Sequence, residues 1–145
     1  MVIAIFGESC VGKSTLANIL RDKLSATVYS GKDYLRLAKN EAEAQKRFIE
    51  MLQQAVDGEH VIYLTAEPAQ LCFIPEGALR VLVTAELSVI KERFAQRMHG
   101  VLPPPVAQML EKKHGCFDAE PHDFHMHAGT DDIDSICAKI LEKIQ

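Results

Sequence analysis

The sequence predicts a single α/β domain over residues 1–145, a parallel β-sheet covered on both faces by helices. Three observations carry this prediction. Short apolar runs of strand length alternate with segments of helical periodicity, the first run passes directly into a glycine-containing turn and a helix, and no repeat, low-complexity tract or long linker divides the chain. A domain of this size buries about two-thirds of the surface its unfolded chain would expose, enough for a self-standing core.

The first strand is Val2 to Phe6, and its helix runs from Lys13 to about Leu24, with Leu16, Ile19, Leu20 and Leu24 on one face. A second strand is expected over Ala26 to Ser30. Asp33 follows, and a polar helical segment continues to about Asp57, its buried stripe marked by Phe48, Leu52 and Ala55/Val56. His60 to Thr65 and Leu79 to Thr84 read as the third and fourth strands. From Leu87, the positions Leu87, Ile90, Phe94 and Met98 repeat at helical spacing until about His99-Gly100. Pro103-Pro104-Pro105 breaks the chain and opens a shorter helix to about His114. A fifth strand is expected at Asp123 to His127. The last helix is expected to begin after Thr130 as N-cap, with Asp131 and Asp132 in its first turn and Ile133, Ile136, Ile140, Leu141 and Ile144 facing the core.

The turn after the first strand carries the most specific signal. Gly7-Glu8-Ser9-Cys10-Val11-Gly12-Lys13-Ser14 has the spacing GxxxxGK[ST] between a strand and a helix. Its glycines let consecutive backbone N–H groups point inward at phosphate oxygens, where the new helix adds its positive end. Residues Gly7, Glu8, Ser9, Cys10, Val11, Gly12, Lys13, Ser14 and Thr15 are therefore the expected nucleotide-phosphate site. Lys13 reaches the β- and γ-phosphates and Ser14 ligates Mg²⁺.

Composition excludes several other classes. Sixteen basic against twenty acidic residues give a net charge of −4, and no run of five like charges exists, which argues against a nucleic-acid surface or an anionic membrane as partner. No apolar stretch approaches the 18 or so residues of a membrane span, and no basic flank precedes the first apolar run, so neither a span nor a signal peptide is expected. Cys10, Cys72, Cys116 and Cys137 are dispersed without a CxxC, consistent with reduced thiols in the cytoplasm. A monomer or weak homodimer is expected.

Further candidates lie just past the strands, where parallel sheets place their sites. Arg93 and Arg97 are i and i+4 on one helix, so two guanidinium groups project from one side, to grip a phosphoryl group in transit or to sit on a solvated face. Asp33 can accept a proton from a substrate hydroxyl or cap the helix that follows it. Lys32, Tyr34 and Arg36 beside it are candidates to line an acceptor pocket between Asp33 and about Pro75. The third strand ends in Thr65, with Glu67 as a metal-shell or loop acid. His114, Cys116, His122, His125 and His127 fall close together but lack the paired spacing of a zinc site.

Taken together, the loop at Gly7–Ser14, Asp33 after the second strand, the helix with Arg93 and Arg97, and Gly129-Thr130 before an amphipathic helix make the chain resemble the P-loop small-molecule kinases. That group contains the adenylate, cytidylate and shikimate kinases. The resemblance implies the three-layer P-loop NTPase fold with sheet order 2-3-1-4-5, ATP and Mg²⁺ as cofactors, and a short lid at about residues 100–115, with Lys112 and Lys113 as further phosphate candidates. It implies catalytic roles for Lys13, Asp33, Arg93 and Arg97 and transfer of the γ-phosphoryl group to a small hydroxyl- or phosphate-bearing acceptor. The base would lie near Ala128 to Asp131, held through backbone groups. An Asp at the tip of the third strand, common in such proteins, is missing here, which keeps a second expectation open: an ATP-binding regulatory module that turns over no small molecule. A guanine-specific NKxD motif is also absent.

Overall fold

The structure, a computed structural model, describes residues 1–144. Five strands, β1 (Val2–Phe6), β2 (Thr27–Ser30), β3 (Val61–Thr65), β4 (Leu79–Thr84) and β5 (Phe124–His127), form one sheet in the order 2-3-1-4-5. Every pairing is parallel, with Phe6 opposite both Thr65 and Leu82. The helices are α1 (Lys13–Leu24), α2 (Glu41–Ala55), α3 (Leu87–Arg97), α4 (Pro104–Lys113) and α5 (Ile133–Ile144). Two short 3-10 segments, Asp33–Leu37 and Pro68–Phe73, complete the regular structure.

The apolar runs form strands because both faces of a central parallel sheet are covered, so alternation gives way to continuous hydrophobicity. All five residues of β1 are buried, and they divide between two cores. Ile3 and Ile5 pack with Leu16, Leu20, Ile136 and Ile140 of α1 and α5. Val2, Ala4 and Phe6 pack on the other side with Phe48 and Leu52 of α2. This alternation defines the three layers expected from the sequence.

Two boundaries differ from the sequence reading. The helix expected from Asp33 to about Asp57 is broken: after the 3-10 segment, Ala38 is extended (φ −158°, ψ 164°), and α2 starts anew behind Asn40. The Asn40 side chain accepts the Glu43 N–H at 3.2 Å, so a cap takes the place of a continuous helix. Thr130 is not the N-cap of α5. Its N–H and that of Asp131 turn back onto the His127 carbonyl, and the Asp132 carbonyl accepts the first helical N–H, from Ile136, at 3.1 Å. The cap position is therefore Asp132, which also accepts from the Ser135 hydroxyl at 2.9 Å. Starting α4 at Pro104 is favourable, because a proline in the first helical turn gives up an N–H with no intrahelical partner. No described helix is long and apolar enough to cross a membrane.

Candidate nucleotide and phosphoryl-transfer site

Parallel strands bring all their carboxyl ends to one edge, and the loop after β1 occupies its centre. Gly7 is required there by space. A Cβ at this position would lie 2.1 Å from the Val83 carbonyl oxygen of β4, so only glycine lets the loop leave the sheet. Gly12 enters α1 at φ +107°, and Cys10 also takes a positive φ of 65°, which together curl the backbone around a concavity.

That concavity opens into a cleft of about 900 Å³, lined by residues 9–15, by Arg93, Gln96 and Arg97 of α3, and by Ala128, Gly129 and Asp131 before α5. The expected phosphate site, arginine pair and base region thus share one cavity. The Lys13 amine donates to the carbonyl oxygens of Gly7 at 2.9 Å and Glu8 at 2.6 Å, folded against its own loop. Burial lowers its pKa to about 8, with the Arg97 charge pushing the same way against the opposing Cys10 and Glu8. Lys13, Arg93 and Arg97 therefore converge at the loop end of the cleft, with Asp131 and Asp132 on the wall before α5, so that end favours a polyanion. Arg93 donates to the Cys10 carbonyl at 3.0 Å, bracing the loop across 83 residues of sequence, while Arg97 lines the open cleft. Ser14 and Thr15 are exposed at the start of α1, with hydroxyls free for a hydrated divalent cation. Ring of amides, lysine, hydroxyl and cleft volume all fit a nucleoside triphosphate with Mg²⁺.

Other expected residues lie elsewhere. Glu8 turns its carboxylate away from the cleft, onto His114 Nδ1 (3.0 Å) and the Gly115 N–H (3.2 Å). Val11, although it borders the cleft, is wholly buried in the core. Asp33 does not line the cleft; its Oδ2 accepts the Ser30 N–H at 2.8 Å, locking the turn after β2, and Lys32 rather than Asp33 precedes the 3-10 segment. Tyr34 lines no acceptor pocket. It is buried against Phe48 and Phe73, with centroids 6.0 and 5.1 Å away, and its hydroxyl donates to Glu41. Lys32 and Arg36 are exposed. Thr65 donates to buried Gln70, which also accepts from Tyr63, so the tip of β3 is closed upon itself. Glu67 faces Lys113 at 3.9 Å, which turns that lysine toward the β3 loop. His125 Nε2 and His127 Nδ1 both meet the Thr84 hydroxyl, at 2.7 and 2.8 Å, in a separate cavity of about 330 Å³ that also holds Glu8, His114 and His122. Among the described residues, no three His, Cys, Asp or Glu side chains form a ligand set for a metal ion.

No protein-family model and no curated protein matches the chain by sequence. Solved structures do match by shape. An uncharacterized protein of Eubacterium ventriosum superimposes with a TM-score of 0.72 at 17% identity, over 99% of this chain and 98% of that one. A shikimate kinase of Acinetobacter baumannii, solved with shikimate, gives 0.65 at 14% identity over 99% and 92%. A gluconokinase of Sinorhizobium meliloti gives 0.59 at 14% identity over 99% and 94%. The fold is that of the P-loop small-molecule kinases. Within this kinase fold, two contacts of the phosphate loop escaped the sequence reading, Arg93 on Cys10 and His114 on Glu8. No local pattern signals a contact between residues 83 or 106 positions apart.

Proposed function

We propose that the protein transfers the γ-phosphoryl group of ATP to a small hydroxyl- or phosphate-bearing metabolite of nucleoside, nucleotide or shikimate-like type. The observation that carries this reading is the shared cleft in which the curled loop, the buried Lys13 amine and the Arg97 side chain face one volume. Similarity in fold to a shikimate kinase and a gluconokinase supports it.

Bound ATP and Mg²⁺ supply the phosphoryl group and neutralise part of its charge. The chain does the rest. Loop amides from Ser9 to Thr15 would hold phosphate oxygens, Ser14 Oγ would hold the cation, and Lys13 would exchange the Gly7 and Glu8 carbonyls for phosphate oxygens. Arg93 keeps the loop in shape, and Arg97 stabilises charge on the group in transit. Asp33 stays outside this cleft, its Oδ2 held by the Ser30 N–H in the turn after β2.

Acceptor-stimulated ADP release tests this reading with a panel of nucleosides, nucleoside monophosphates, shikimate-like acids and sugars. Stimulation by one class, lost in Lys13→Ala, is the expected result. Tight ATP·Mg²⁺ binding with no stimulation by any class would instead favour the regulatory module, a reading helped by the closed Thr65–Gln70 pair where a metal-orienting carboxylate is common.

A further inference from the structure

We infer that Glu8 latches the return segment of the lid, His114-Gly115, to the phosphate loop and is thereby a positioning residue for nucleotide binding. The inference rests on the proposed phosphotransferase reading for its consequence, though not for its geometry.

Glu8 is held at both ends. Its backbone carbonyl accepts from Lys13 Nζ at 2.6 Å, and its carboxylate accepts from His114 Nδ1 at 3.0 Å and the Gly115 N–H at 3.2 Å. One residue therefore joins the phosphate-binding lysine to the end of α4. A carboxylate only accepts, so the His114 tautomer in contact must carry its proton on Nδ1. The Glu8 side chain is 9% exposed and that of His114 37%, so the acid is the buried partner. Cys116, next to Gly115, is exposed, and its thiol is pushed up by partial desolvation first and by the Glu8 charge second.

Moving residues 114–115 away would strand a buried anion without its partners, which costs far more than breaking an exposed ion pair. The other ion pairs of this segment, Lys91 with Glu111 and Lys113 with Glu67, lie at the surface and are worth little by comparison, while buried Phe117, 5.8 Å from the Phe6 ring, anchors the chain just beyond it. Gly115 suits the junction, since it takes φ +81° and presents its N–H to the acid. The two halves of the device are thus unequal: the return segment is held to Glu8 by charge, and the Pro-led start of α4 by apolar contact, with Leu102 and Val106 resting against the core and Val101 exposed.

Hydrogen exchange of the nucleotide-free protein tests the latch. Glu8→Ala and His114→Ala should each speed exchange at residues 114–118 by about tenfold or more, the scale expected for losing hydrogen bonds to a buried charge. His114→Asn, whose amide can replace the Nδ1 donor, should restore protection. The double variant Glu8→Ala/His114→Ala should be no faster than either single one. Calorimetry should show ATP·Mg²⁺ affinity reduced about tenfold in Glu8→Ala and His114→Ala, and recovered in His114→Asn. Unchanged exchange, additive single effects, or His114→Asn behaving as His114→Ala would overturn the latch. Because exchange needs no nucleotide, a wild-type protein that showed coupled exchange yet bound no ATP would refute the phosphotransferase reading and leave the latch standing.

Discussion

Lys13 places one partly buried amine against the carbonyls of its own loop. Burial lowers its pKa to about 8, so in the free protein it loses its charge as pH rises through that value. Phosphate oxygens favour the charged form, which raises the pKa of the complex above that of the free protein. Binding of ATP·Mg²⁺ should therefore take up protons near pH 8, and affinity should fall as pH increases from about 7 to 9. Calorimetry in two buffers of different ionisation enthalpy reads this directly; proton release, or affinity rising over that window, would contradict it. Gly7 is the second decisive residue. Its missing Cβ is what admits the Val83 carbonyl, so Gly7→Ala should destabilise the fold by about 2–4 kcal/mol in urea titrations. The curl of the loop was legible in the sequence because its glycine spacing is local. Asp33 was only partly so: its position after β2 could be read, but its hold on the Ser30 N–H depends on the turn that follows.

At the scale of elements, α3 presents two arginines with different work. Arg93 is committed to the Cys10 carbonyl, whereas Arg97 lines the cleft near Lys13. Arg93→Ala should weaken nucleotide affinity, because it frees the loop, with a smaller effect on turnover. Arg97→Ala should lower kcat by about 10²-fold or more with ATP affinity little changed, the mark of an interaction made mainly in the transition state. Steady-state kinetics with the identified acceptor separate the two, and identical profiles would refute the division. The break between the 3-10 segment and α2 teaches why one boundary was missed. Asn40 followed three residues later by Glu43 is a start signal in the sequence itself. Hydrophobic spacing across residues 44–56 masked it, because the stripe of Phe48 and Leu52 belongs to the helix after the cap, and nothing apolar marks the extended Ala38. The cap of α5 moved from Thr130 to Asp132 for a related reason: the His127 carbonyl collects the N–H groups of Thr130 and Asp131 first, delaying the helix.

For the molecule as a whole, the strands and the parallel sheet covered on both faces were legible in the apolar runs, the order 2-3-1-4-5 only through the resemblance to the P-loop kinases, and the mutual support of the two cores is a tertiary property. Phe48 is the hub of the second core, with ring centroids of Tyr29, Tyr34, Tyr63 and Phe73 all between 5.1 and 6.1 Å. Phe48→Ala should cost about 3–5 kcal/mol of unfolding free energy while leaving ATP affinity of the folded fraction near wild type, since this core lies across the sheet from α1. The same packing explains why the acceptor region resisted sequence reading. Tyr34 and Phe73, which span the stretch where a pocket was expected, are spent on filling the core. Phosphoryl transfer to a small molecule by the loop, Lys13 and Arg97 is the activity proposed for this protein. Phosphorus NMR of the protein with ATP·Mg²⁺ and each candidate acceptor measures that transfer most directly. A new phosphoester or phosphoanhydride resonance is expected with one acceptor class, growing as the γ-phosphate signal declines and absent in Lys13→Ala. Tightly bound ATP that persists unchanged, or yields only inorganic phosphate with every acceptor, would contradict it.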